Sequence, residues 1–143
     1  MLTNFLNEVQ KACEGLVWEF QYRQTSHSNI GNDLATYLQI RSRIMGIAPF
    51  FTLISSLYTP RGGDQEKISV LQGAVSLATG LQNDLIGLEK DLRNGERMNA
   101  VMVVLGAETT HNIDPRELSD ATTQIADIRN RTIDHVVLRT DTG

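Results

Sequence analysis

The chain has one cysteine, one tryptophan and three prolines in 143 residues, and only 6% of it is aromatic. With Cys13 alone no intrachain disulfide can form, which makes a reducing cytoplasm the natural compartment. The N-terminus lacks the basic-then-apolar pattern of a leader. The most apolar run, 44–58, is interrupted by Pro49, Thr52, Ser55 and Ser56 and is too short to span a bilayer. No cluster of Lys and Arg is interleaved with aromatics, and the net charge is −4, so nucleic-acid recognition is not expected. A His-x-x-x-His pair, a nucleophile elbow, a Gly-x-Gly-x-x-Gly loop and internal repeats are all missing. What is present, 41% hydrophobic and 21% charged residues, suffices for the core of one soluble domain.

Apolar residues recur at three- and four-residue steps almost throughout, which predicts an all-α bundle. A first helix is expected over about 3–25 on Phe5, Leu6, Val9, Ala12, Cys13, Leu16, Val17 and Phe20, with Trp18 and Tyr22 on an adjacent strip as core or partner contacts. The polar stretch 25–31, with His27, reads as a loop. A second helix, about 32–45, meets Gly46 and Pro49, and the proline disfavours helix at Ala48 before it. Because Phe50, Phe51, Leu53, Ile54 and Leu57 resume the pattern at once, the two halves read as one broken helix buried on most sides. Residues 59–64 form a turn with Asp64 as the cap of a long helix over about 65–93. The run 99–105 is short and apolar, and with no second strand to pair with it is expected to be helical. Asp114-Pro115-Arg116-Glu117 starts a last helix, about 115–138, ahead of a fraying tail. His111 and His135 carry no assigned chemistry.

The chemistry concentrates in 81–92. At roughly 100° per residue, Leu81, Leu85, Leu88 and Leu92 form one stripe, and Asn83, Gly87, Lys90 and Asp91 fall nearly opposite. An amide oxygen and a carboxylate two turns apart, with a small residue between them, suit a hard cation such as Mg²⁺, and the ammonium suits a phosphate. The bland reading of this stretch is that Asp84, Glu89, Lys90, Asp91 and Arg93 solvate an exposed face.

Asn83-Asp84-Leu85-x-Gly87-x-x-Lys90-Asp91 resembles the second metal-binding motif of class I terpene synthases, and Gly95-Glu96-x-x-Asn99-x-Val101 resembles the downstream segment of bacterial members. Gly87 stands where that family has Ser or Thr, so a water would fill the place of the hydroxyl; Asp91 stands where Glu is usual. Tyr37-Leu38-x-x-Arg41-x-x-x-x-Gly46 is similar to the family's diphosphate-sensor region, although Ile44 replaces an acidic or hydroxylic residue.

The resemblance implies part of the isoprenoid synthase fold, an antiparallel helical bundle with one broken helix. It implies Mg²⁺-dependent ionisation and cyclisation of a linear isoprenoid diphosphate of the farnesyl or geranyl class. Asn83 and Asp91 would ligate the metal, with water near Gly87; Arg41 and Lys90 would contact diphosphate; Met45-Gly46 would be the helix break that aims a carbonyl at the cation. The family's aspartate-rich first motif and its late Arg-Tyr pair are not found, so residues 1–143 are read as one domain corresponding to the middle-to-late part of a synthase. A complementary chain or a second copy is expected to complete it, and the isolated chain is expected to be inactive. The competing expectation is a non-catalytic helical module or decayed remnant that binds a partner through exposed apolar faces.

Overall fold

A computed structural model describes residues 2–25, 33–57, 64–106 and 112–140. Six helices and no strand occur among them: α1 (Leu2–Thr25), α2 (Leu34–Ile44), α3 (Ile47–Ser56), α4 (Asp64–Arg93), α5 (Ala100–Leu105) and α6 (Pro115–Thr140). The all-α expectation is met, down to the helical state of the short run after Asn99. The expected loop with His27, the turn before Asp64, His111 and the fraying of the last three residues lie outside the described residues.

Each start has a local cause. Asp33 accepts from the backbone of Ala35 and Thr36 at the head of α2, and Asn99 accepts from Val101 at the head of α5. Asp114 does the same for Arg116 and Glu117, with Pro115 in the first position of α6, where its missing N–H costs nothing.

The break between α2 and α3 is made by Gly46, whose φ of 66° is left-handed. Pro49 is not the breaker. It falls in the first turn of α3, with Ala48 already helical, because the first turn has no intrahelical acceptor for its N–H groups. The expectation that α3 is buried on most sides is corrected too. Only Pro49 is buried in it, while Phe50, Leu53, Ile54 and Leu57 are exposed, Phe50 at 67%.

α1 turns a different stripe inward from the one its aliphatic residues suggest. Gly15 is buried against α2, since a Cβ there would stand 3.0 Å from the Arg43 Cβ. Trp18 carries the Arg43 guanidinium 5.4 Å from its ring centroid, and Tyr22 packs tilted against Tyr37. Leu6, Leu16, Val17 and Phe20 are left exposed.

The core lies where α2, α4, α5 and α6 meet. Tyr37, Leu81, Ala100, Val101, Val103, Ala121 and Ile125 form it, with Leu77, Leu85, Leu88 and Ile128 against its edges. α4 is the axis of the packing, touching α2, α3, α5 and α6. Gly80 lets α2 come close, because a Cβ there would meet the Arg41 Cγ at 2.8 Å and the Met45 Cγ at 3.3 Å. No helix is long and apolar enough to cross a membrane.

Candidate functional site

Arg41 leaves α2 four residues after Tyr37, so both side chains reach the same face of α4. There they meet Asp84, whose side chain is 1% exposed. The Asp84 carboxylate accepts from the Tyr37 hydroxyl at 2.7 Å, from Arg41 Nη2 at 2.6 Å and from the Ala100 backbone N–H at 3.2 Å. Burial raises the Asp84 carboxyl above the usual carboxylate range against the opposing pull of Arg41 and these donors. Burial, and then the charge of Asp84, keep the Tyr37 phenol protonated. The Arg41 Nε is buried without a hydrogen-bond partner. The bland reading therefore fails for Asp84, which solvates nothing and binds three elements together.

The four expected motif residues of α4 divide. Asn83 and Lys90 are exposed, as is Ile86 between them. Gly87 and Asp91 are half-buried on the flank that faces α5. The Asp91 carboxylate presents Oδ2 to the Asn99 side-chain amide at 2.9 Å, while Oδ1 stands 3.7 Å from the ammonium of Lys90. The lysine side chain is 76% exposed and free to swing. A Cβ on Gly87 would sit 3.3 Å from the Asp91 Oδ2, so the carboxylate lies against the place where a side chain would begin.

Arg41 joins this group through Asp84, one helical turn before Gly87 on α4. Met45 ends α2 and Gly46 opens α3, so the expected break is at the expected residues, and the Met45 side chain lies near Gly80 of α4. Glu96 sits in the turn between α4 and α5. It accepts from both Arg23 of α1 and the Met98 N–H, which ties the far end of α1 to this region. Among the described residues no three His, Cys, Asp or Glu side chains are assembled for a metal.

Residues 1–135 match the family model described as terpene synthase family 2, C-terminal metal binding. The chain belongs to this terpene synthase family. No curated protein and no solved structure matches it. An all-α member of a terpene synthase family described as metal-binding is what the match and the helices together establish. Asn83 and Asp91 are oxygen donors of the kind a hard divalent cation takes, an amide and a carboxylate.

Spacing alone assigns no role in the site to Tyr37, Asp84 or Asn99. Two signals for them are nonetheless in the sequence. A carboxylate at 84 lies within the leucine stripe, where an unpaired charge is costly, and a tyrosine and an arginine four apart precede it on α2. Asn99 stands in the downstream segment that resembles bacterial members, which by itself assigns it no contact.

Proposed function

We propose that the chain is the middle-to-late part of a class I terpene synthase, which ionises and cyclises an isoprenoid diphosphate of the farnesyl or geranyl class with Mg²⁺. The observation that carries the reading is the Asp91 carboxylate, held by Asn99 beside Gly87 on the helix whose Asp84 grips Arg41. Asn83 and Asp91 hold the cation, with water in the place beside Gly87. Mg²⁺ bound there would neutralise charge on the departing diphosphate.

The remaining work falls to the chain's own side chains. Arg41, fixed by Asp84 through one amino group and 16% exposed, offers the accessible part of its guanidinium to a phosphate oxygen. Lys90, exposed, supplies a second cation. Arg41, held by Asp84, is preorganised charge that stabilises the developing anion without reorganising. The break at Met45 and Gly46 aims a backbone carbonyl at the forming carbocation. The exposed apolar faces of α1 and α3 dock against a complementary polypeptide or a second copy, closing a dry cavity in which water cannot quench the cation. The cytoplasm is its compartment.

Calorimetric titration of Mg²⁺ with inorganic diphosphate tests the site: the wild type binds, and Asn83→Ala with Asp91→Ala abolishes binding. Equal binding by both would overturn the assignment. Turnover of farnesyl diphosphate by the purified chain alone would overturn the requirement for a second piece. The substitution of Gly87 for a hydroxyl residue favours one other reading, a catalytically silent helical module that binds its partner through the same apolar faces. Failure of the wild type to bind Mg²⁺ with diphosphate would select it.

A further inference from the structure

Asn99 does more than begin α5. It is fully buried, and each polar atom of its side chain is committed. Oδ1 accepts from the Val101 N–H at 3.0 Å, which is the cap. Nδ2 donates to the Asp84 carbonyl at 2.8 Å and to the Asp91 Oδ2 at 2.9 Å. The cap needs only the oxygen, and a serine or aspartate would serve it. The amide nitrogen is what distinguishes asparagine here, and both of its partners are on α4.

The geometry of α4 makes this bridge possible. Helical side chains lean towards the N-terminus, so Asp91 reaches back along α4, and the absent side chain of Gly87 leaves its path open. The backbone carbonyl of Asp84 is a rigid anchor, already part of the helix. Fixing Nδ2 on it fixes the second N–H relative to α4, and that N–H takes one oxygen of Asp91. The other oxygen, Oδ1, remains on the side of the exposed Lys90.

We propose that Asn99 is a positioning residue for the metal: anchored on the Asp84 carbonyl, it holds Oδ2 of Asp91 and leaves Oδ1 to the divalent cation. The proposal rests on Asp91 being a metal ligand, as proposed above. A hydrogen bond from a fixed neighbour orients a ligating carboxylate, and loss of such a partner typically weakens metal binding by about 10- to 100-fold. Asn99 also ties the ligand to the diphosphate contact, because the same Asp84 whose carbonyl anchors it grips Arg41 with its carboxylate.

The test uses the full chain, with Mg²⁺ titrated by calorimetry in the presence of inorganic diphosphate and thermal melts alongside. Asn99→Ser and Asn99→Thr each keep a cap oxygen but cannot reach Asp91. Both are expected to lose about 10- to 100-fold in Mg²⁺ affinity while remaining folded at the titration temperature. A readout that needs no variant at Asn99 is its side-chain amide resonance in labelled wild type. That resonance should shift on Mg²⁺ addition, and the shift should vanish in Asp91→Ala. If Asp91→Ala loses binding while both Asn99 variants bind as the wild type and the resonance stays still, the positioning role is refuted and the metal site stands. If Asp91→Ala binds as well as the wild type, Asp91 is no ligand and both proposals fall.

Discussion

Replacing Arg41 with methionine keeps much of the side chain's length over Gly80 and removes only its charge. Asp84 would then be a carboxylate with 1% exposure, holding the Tyr37 hydroxyl and the Ala100 N–H but no cation. Breaking a buried pair from one side costs about 3–5 kcal/mol. The Arg41 side chain is 16% exposed, so some water can follow the loss, and about 2–4 kcal/mol is the expected destabilisation.

The pH dependence carries its own sign. Burial already holds the Asp84 carboxyl above its ordinary value, and removal of the guanidinium lifts it further. A folded value above the unfolded one means the folded chain binds the proton more tightly. The penalty is therefore full above the folded pKa and shrinks as the pH falls through it. Urea unfolding followed by circular dichroism at pH 7.5 and 5.5 should show the gap between Arg41→Met and wild type narrowing at the lower pH. Adding Asp84→Asn to Arg41→Met should recover most of the loss. A deficit under about 0.5 kcal/mol, the same at both pH values and additive with Asp84→Asn, would refute a buried, coupled pair at this position.

Two further substitutions probe the surfaces around that pair. Gly80→Ala should destabilise by about 1–3 kcal/mol from overpacking against Arg41 and Met45, outweighing the helix-propensity gain of about 1 kcal/mol. A higher urea midpoint than wild type would show that α2 does not pass that closely. Gly87→Ser restores the hydroxyl usual at this motif position but puts a Cβ 3.3 Å from the Asp91 Oδ2, so it should disturb the grip of Asn99 on that carboxylate and weaken Mg²⁺ binding with inorganic diphosphate by roughly threefold to tenfold, about 1 kcal/mol. Unchanged or tighter affinity in calorimetry would show that Asp91 does not need the cleared path past Gly87.

Helix positions are legible because apolar spacing is a local signal, and α4, α5 and α6 start within a residue or so of where their caps and patterns put them. Burial is less legible. The aliphatic side of α1 reads as the inner face, yet Gly15 does the packing together with Trp18 and Tyr22, the two aromatics expected as core or partner contacts, because closeness at a glycine can outweigh side-chain size. In α3 the apolar pattern is real, but Phe50, Leu53 and Ile54 stay exposed, and periodicity does not say which apolar face meets a neighbour. The site is half visible: residues 83, 87, 90 and 91 stand out by type. Their support, Tyr37 to Asp84 across 47 positions and Asn99 to Asp91 across a turn, depends on tertiary contact that spacing does not encode.

Gly46 alone carries the change of direction between α2 and α3. Such a junction works as a register key. One residue inserted or deleted beside it would rotate every side chain of α3 by about 100° relative to α2, bringing Pro49 outwards and swinging one of its exposed neighbours inwards. The residue count from Arg41 to Pro49 is therefore constrained by geometry, apart from any constraint on which side chains α3 carries. Length changes in natural variants should collect in other loops and spare this one.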